Sequence, residues 1–247
     1  MNNLFIFDLD DTLIVSEFYY NLAIVDFLRY TLVRLSSKCP DIPYVAKKFE
    51  RLDRKQFANV GTDGDRFQLS LAITYRQICR KLRITDPEGE QALLRIGDTA
   101  LASSNWMNDA FYPGAIETLD YLTLQQDHLA LLTWGDFAVQ QGKINAAGIK
   151  RWFNPTDILI TQENKTARHM LNIAAGYDPR RVFMVGNSKE SDVRPAIEAG
   201  INVIYIPGAT WHYDRNRAKL PEYEYLRKFD TISDIVSKYA ELTKVSV

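Results

Sequence analysis

Residues Leu4 to Leu13 read LFIFDLDDTL. Leu4 to Phe7 is an apolar run too short for a helix, and its aromatic and branched side chains suit a buried strand. Asp8, Asp10 and Asp11 follow at once, more acid than the turn after a core strand requires. Residues two apart in extended backbone project to the same side, so Asp8 and Asp10 read as a pair. Such a pair suits a shared metal ion, or a division of labour in which one carboxylate attacks and the other moves protons. An acidic, solvated loop is the plain structural alternative.

Downstream of this turn, no strand signal of any strength occurs from Ser16 to Asn108. Ser16 is placed to cap a helix whose apolar positions Phe18, Leu22, Val25, Leu28, Leu32 and Leu35 recur at three and four and are expected to face inward. Pro40 and Pro43 stop it. A shorter helix is predicted over about 45–57, followed by the polar turn Gly61 to Arg66. A third helix carries Leu71, Tyr75, Ile78 and Leu82 on one face, and a fourth runs from Asp86-Pro87 to about Ala102.

From Phe111 the pattern changes, because Tyr112-Pro113-Gly114 breaks the helical reading. Helices are then predicted over about 115–124, 137–147, 165–175 and 194–199, alternating with strands at Leu129–Thr133, Ile158–Ile160, Val182–Val185 and Asn202–Ile206. A terminal helix is expected over about 232–242, with Ile232, Ile235, Val236 and Tyr239 inward. This alternation predicts an α/β fold, a Rossmann-like three-layer core with a parallel sheet. Residues 1–15 and 111–247 form that core, and residues 16–110 are an all-helical domain inserted after the first strand.

With 247 residues the chain has room for a substantial core and one sizeable insertion. Its 46% hydrophobic and 25% charged residues are ordinary for a globular protein. Thirty Lys and Arg stand against 31 Asp and Glu, so no bulk field draws nucleic acid or an anionic membrane, and neither is expected as a partner. Cys39 and Cys79 form no motif, which fits a reducing compartment. The three histidines, His128, His169 and His212, are too scattered for a zinc site. The first strand begins at residue 4, which leaves no room for a signal peptide, and no run of about 18 apolar residues occurs. A cytoplasmic location is expected.

In open parallel sheets chemistry gathers at the carboxyl ends of the strands. The polar residues there are Asp8, Asp10 and Thr12; Thr133, followed by Trp134; Lys165; and Gly186-Asn187-Ser188 with Asp192. Carboxylates, a hydroxyl and a lysine make a site for a divalent cation and a phosphoryl group: magnesium takes oxygen ligands from one or two carboxylates and phosphate, and lysine and hydroxyl donors hold the phosphoryl oxygens. Each residue also has an ordinary explanation: Thr133 as a strand end, Lys165 as a surface lysine, Asp192 as a helix cap before Pro195.

Taken together these segments resemble the haloacid dehalogenase superfamily, specifically its phosphatase-like members with a helical cap of the C1 type. FIFDLDDTL is similar to the first motif, LLTWGD to the second through Thr133, and VGNSKESDVRPAIEAG to the fourth. Lys165 is the candidate for the third, and FYPGAIETLDYL resembles the return from cap to core. The resemblance implies a phosphatase acting on a small phosphorylated metabolite through an aspartyl-phosphate on Asp8, with Asp10 as general acid and base. It implies Mg2+ held by Asp8, the Asp10 carbonyl and the fourth motif, and a phosphate bound by Thr133, Trp134 and Lys165.

The fourth motif usually opens Gly-Asp, and here it is Gly186-Asn187. One negative charge is gone, so Asp192 is expected as the principal acidic ligand and Asn187 as a secondary one. A dehalogenase needs neither a proton donor two residues on nor a metal, and Asp10 argues against it. A phosphomutase, using the same residues, is one alternative; a non-catalytic phospho-ligand-binding protein, permitted by Asn187, is another. In the cap, Asp65 and Arg66 are expected to set substrate specificity from the turn between two helices. Trp211 and His212 are candidates for the rim of the site.

Overall fold

The computed structural model describes residues 2–107, 110–208 and 220–244. Two compact units emerge, one of Met1–Glu17 with Trp106–Val247 and the other of Phe18–Asn105. They divide at 17/18 and 105/106, against the 15/16 and 110/111 read from sequence. The strands are β1 (Leu4–Phe7), β2 (His128–Trp134), β3 (Ile158–Thr161), β4 (Val182–Gly186), β5 (Asn202–Tyr205) and β6 (Leu226–Lys228). The helices are α1 (Glu17–Leu35), α2 (Ile42–Val60), α3 (Arg66–Lys81), α4 (Pro87–Thr99), α5 (Ala115–Leu124), α6 (Phe137–Ala146), α7 (Ala167–Ile173), α8 (Arg194–Glu198), α9 (Asp234–Ser237) and α10 (Tyr239–Leu242).

The first unit is built on a parallel sheet of order β3-β2-β1-β4-β5-β6. Chain order reverses beside β1, since the path runs outward through β2 to β3 and returns at β4, and such a switch point opens a crevice at the strands' carboxyl ends. Period-two alternation buries β1 on both faces. Leu4 and Ile6 join Ala130, Met184, Met170 and Ala196 in the core under α7 and α8. On the other face Phe5 stacks on Phe183 at 4.8 Å, and Phe7 meets Phe153 edge-on at 6.2 Å. Phe7 is level with Leu131 and Val185, so Asp8 emerges from the centre of the sheet.

Three features depart from the sequence reading. β6 was not anticipated, because Leu226-Arg227-Lys228 has one apolar residue; it is an edge strand, where charged side chains are favoured. The terminal helix is two short helices broken at Lys238. Lys165 lies before α7, whose amino end is capped by the Thr166 hydroxyl.

The second unit is helical throughout its described residues, with a core that includes Phe27, Phe49, Phe67, Leu71, Tyr75 and Leu93. The expected inward face of α1 is corrected in part: Leu35 is buried and Leu28 packs against this core as read, but the rest of the stripe does not. Ala23, Phe27, Thr31 and Leu35 are buried, whereas Phe18, Leu22, Val25 and Leu32 are 58, 49, 58 and 46% exposed. This helix is apolar on more than one side, so spacing at three and four fits two stripes equally well. Packing chose the one through Ala23, Phe27 and Thr31, which meets the expected one at Leu35. Where α3 meets α4, a Cβ on Gly97 would lie 2.5 Å from Gln68 Cα, so the close approach of these two backbones requires glycine. No helix among the described residues is long and apolar enough to cross a membrane. Trp211 and His212 lie outside the described residues.

Candidate active site

The ladder of β1 continues one residue past the strand, with Asp8 N–H donating to Val185 O at 2.9 Å. The chain then turns: the Leu9 carbonyl accepts from the N–H groups of Thr12, Leu13 and Ile14, and Asp11 takes a left-handed φ of 57°, a conformation aspartate tolerates. The turn, not the pleat of a strand, therefore aims Asp8 and Asp10. Asp11 is structural. Its carboxylate accepts the Ser16 N–H at 2.9 Å and the Glu17 N–H at 3.0 Å, capping α1 in place of the expected Ser16 hydroxyl. Burial pushes the Asp11 carboxyl up to about 6, partly opposed by those backbone bonds.

Asp8, Lys165 and Asp192 form one buried cluster. Lys165 Nζ lies 2.5 Å from Asp8 Oδ1 and 2.6 Å from Asp192 Oδ1, while Asp192 Oδ2 accepts the Ser188 N–H at 2.9 Å. Burial alone would lower the lysine, but Asp192 and Asp8 outweigh it and hold its ammonium above the ordinary range. Burial pushes Asp8 up to about 7, against the Lys165 ammonium and with the Asp192 charge adding to the rise. Two carboxylates on one ammonium leave the cluster short of positive charge. Asp192 lies in a π-helical turn, Lys189–Val193, and the side chain that caps this turn belongs to Ser188. Gly186 makes room, since a Cβ there would sit 2.3 Å from Asp192 Cγ.

On the other side of Asp8, Thr12 Oγ1 is 3.1 Å from Asp8 Oδ2 and 3.3 Å from Asn187 Oδ1. One hydroxyl hydrogen cannot serve both acceptors at once. Both are hard oxygens of the kind a magnesium ion takes while keeping water and phosphate among its ligands. An all-protein cage is absent: no group of three or more His, Cys, Asp or Glu side chains converges among the described residues.

Asp10 faces a second buried lysine. Lys143 Nζ lies 2.7 Å from Asp10 Oδ1 and 3.1 Å from Ser16 Oγ, and Gln140 Nε2 lies 2.8 Å from Asp10 Oδ2. The same amide donates to Thr133 Oγ1 at 2.6 Å. Thr133 is the penultimate residue of β2, which runs one residue further than read from sequence, and it is buried beside the site. Trp134 turns its ring N–H to the Gln162 carbonyl at 3.3 Å, so a phosphate contact from this residue would come from its backbone. Sequence reading missed Gln140 and Lys143. The available signal was their spacing on the α6 face that also buries Ile144.

Arg66, expected in an exposed turn, opens α3 with its guanidinium buried against Asp53 and 5.8 Å from the Phe57 ring centre. Asp65 accepts from Gln68 Nε2 at 3.1 Å.

A parallel sheet whose order switches beside β1, with two carboxylates just past that strand, puts the candidate site at the carboxyl ends of the strands. The haloacid dehalogenase-like hydrolase family model matches residues 3–200, and the chain belongs to that family. A haloacid dehalogenase-like family hydrolase from Xanthomonas campestris superposes with a TM-score of 0.75 at 23% identity, covering 98% of this chain and 91% of that one. A predicted phosphoglycolate phosphatase from Haemophilus somnus gives 0.59 at 21%, covering 96% and 98%. A 2-haloacid dehalogenase from Pseudomonas syringae pv. Tomato gives 0.58 at 18%, covering 98% and 99%. These structures share the fold with chains of different activities. No curated protein sequence matches the chain.

Proposed function

We propose that this hydrolase is a magnesium-dependent phosphatase of small phosphomonoesters. The observation that carries the reading is the pairing of two carboxylates from one turn with two separate buried lysines, Asp8 with Lys165 and Asp10 with Lys143. Displacing a halide from carbon releases an anion that needs no proton, which leaves Asp10 without a task as general acid. Expelling an alcohol from a phosphomonoester needs that proton.

Asp8 attacks phosphorus, and the bond from phosphorus to the ester oxygen breaks as protonated Asp10 gives its proton to the departing alcohol. Water then attacks phosphorus in the aspartyl-phosphate, Asp10 takes the water's proton, and the bond to Asp8 breaks to release phosphate. Lys165 and the Thr133 hydroxyl neutralise the transferring group, with Trp134 contributing its backbone. Asp8, the Asp10 carbonyl and Asn187 would hold Mg2+, which supplies the charge that lets two anions meet. Asp192, with partners on both oxygens, stands behind Lys165 as its anchor and is the more distant ligand candidate. Asp65 and Arg66 stay as the proposed specificity pair of the insertion, Arg66 acting by fixing the start of α3. The free thiols Cys39 and Cys79 suit the cytoplasm proposed as its compartment.

The test is phosphate release from 4-nitrophenyl phosphate and a panel of alkyl phosphomonoesters, with magnesium and with chelator. Magnesium-dependent release that disappears in Asp8→Asn is expected. Absence of release from every ester by folded protein would overturn the reading.

A further inference from the structure

Gln140 and Lys143 are among the most hydrophilic side chain types, yet they are only 1 and 2% exposed. Buried groups of this kind need partners, and a structural lysine could find one in any carbonyl or carboxylate nearby. Lys143 has settled on the carboxylate two residues beyond the nucleophile candidate, 2.7 Å away, with its ammonium also 5.1 Å from the centre of the Trp106 ring. Gln140 has one NH2 group with two hydrogens. Its nearest acceptors are Thr133 Oγ1 at 2.6 Å and Asp10 Oδ2 at 2.8 Å, with the Trp134 carbonyl farther off at 3.3 Å. A hydroxyl that accepts from an amide keeps its own hydrogen for donation, so this bond turns the Thr133 O–H toward an incoming oxygen.

The approach of Gln140 is built into the neighbouring backbone. A Cβ on Gly135 would stand 3.0 Å from Gln140 Cγ and 3.1 Å from Cδ, so glycine leaves the space through which the amide reaches. Asp136 fixes the helix, its Oδ1 accepting the Val139 N–H at 3.0 Å.

We infer that Gln140 and Lys143, three residues apart on one face of α6, are positioning residues that grip both oxygens of Asp10 and align the Thr133 hydroxyl. The inference rests on the phosphatase reading above. Neither side chain is assigned a contact with substrate; both act through Asp10 and Thr133, and their loss should weaken proton transfer more than substrate binding.

The experiment compares the wild-type protein with Lys143→Met, Lys143→Arg and Gln140→Leu, each checked for folding by circular dichroism, on an alkyl phosphomonoester and on 4-nitrophenyl phosphate. The alkyl ester needs a proton on its leaving oxygen and the aryl ester scarcely does. Lys143→Met and Gln140→Leu should lower kcat on the alkyl ester at least tenfold with KM within about twofold. On the aryl ester rapid mixing should show a retained burst of nitrophenol followed by slow turnover, because water activation by Asp10 is still impaired. Lys143→Arg should restore part of the alkyl rate. Should Lys143→Met fail to fold, Gln140→Leu carries the comparison. Unchanged kcat in folded variants, or equal losses on both esters without a burst, would overturn the inference while leaving the phosphatase reading in place. No turnover by the wild type on either ester would remove both.

Discussion

Replacing Asp8 with asparagine should stabilise the metal-free protein at pH 8 and do little at pH 4. The side chain is buried and its carboxyl is pushed up to about 7 from an ordinary 3.8. Between those values the unfolded chain has given up the proton and the folded chain still holds it. Stability from this group is therefore complete below about pH 4 and is lost as pH rises through 7. At 1.36 kcal/mol per pH unit the loss is on the order of 4 kcal/mol when both states are charged. Asparagine imitates the protonated acid, keeps an oxygen for Lys165, and leaves that lysine paired one-to-one with Asp192. Asp11, pushed up to about 6, titrates in both proteins and cancels in the difference. Urea unfolding in chelator from pH 4 to 8 measures the effect, which should open from pH 4 to about 7 and level off above. A difference that stays flat with pH, or a wild type that is the more stable at pH 8, would refute the argument.

Asn187→Asp should tighten magnesium binding by adding charge beside Asp8, at the expense of metal-free stability; calorimetric titration with magnesium chloride checks it, and unchanged affinity would place Asn187 outside the coordination shell. Gly186→Ala puts a methyl group 2.3 Å from the Asp192 carboxylate; a destabilisation of about 3 kcal/mol in denaturant unfolding and loss of hydrolysis are expected, as the displaced Asp192 releases Lys165. Gly97→Ala forces α3 and α4 apart at Gln68; it should cost about 3 kcal/mol by the same measurement, and a loss under 0.5 kcal/mol would show that the two helices can separate freely.

The core was legible because its signals are local. A strand buried on both faces is written as a continuous apolar run, as in Leu4–Phe7 and Val182–Val185, and alternation with helices dictates a parallel sheet. Asp8, Thr133, Lys165 and Asp192 were singled out by their place at or after the strands, and the fold brings Asp8, Lys165 and Asp192 into contact. What escaped is set by tertiary contacts. The inward stripe of α1 depends on what packs against it, and sequence cannot rank two apolar stripes on one helix. Gln140 and Lys143 look like ordinary surface residues until α6 is laid beside the Asp10 turn. Asp11 appeared to be one carboxylate too many until its backbone partners showed it to be a cap.

The segments flanking the insertion are joined to each other. Val15 N–H donates to Ala110 O at 2.8 Å, Tyr112 N–H donates to Leu13 O at 2.9 Å, and Ile14 bridges Phe111 in antiparallel register. Opposed residues in such a pair stand about 5 Å apart, so the polypeptide departs from the hydrolytic unit and re-enters it through one doorway. Anything threaded between those two points is a loop whose ends are already tied, and doubling its length costs only about 0.6 kcal/mol of closure entropy. The doorway makes the intervening block a replaceable cassette: evolution or an engineer can lengthen, shorten or exchange it without disturbing Asp8 and its lysine.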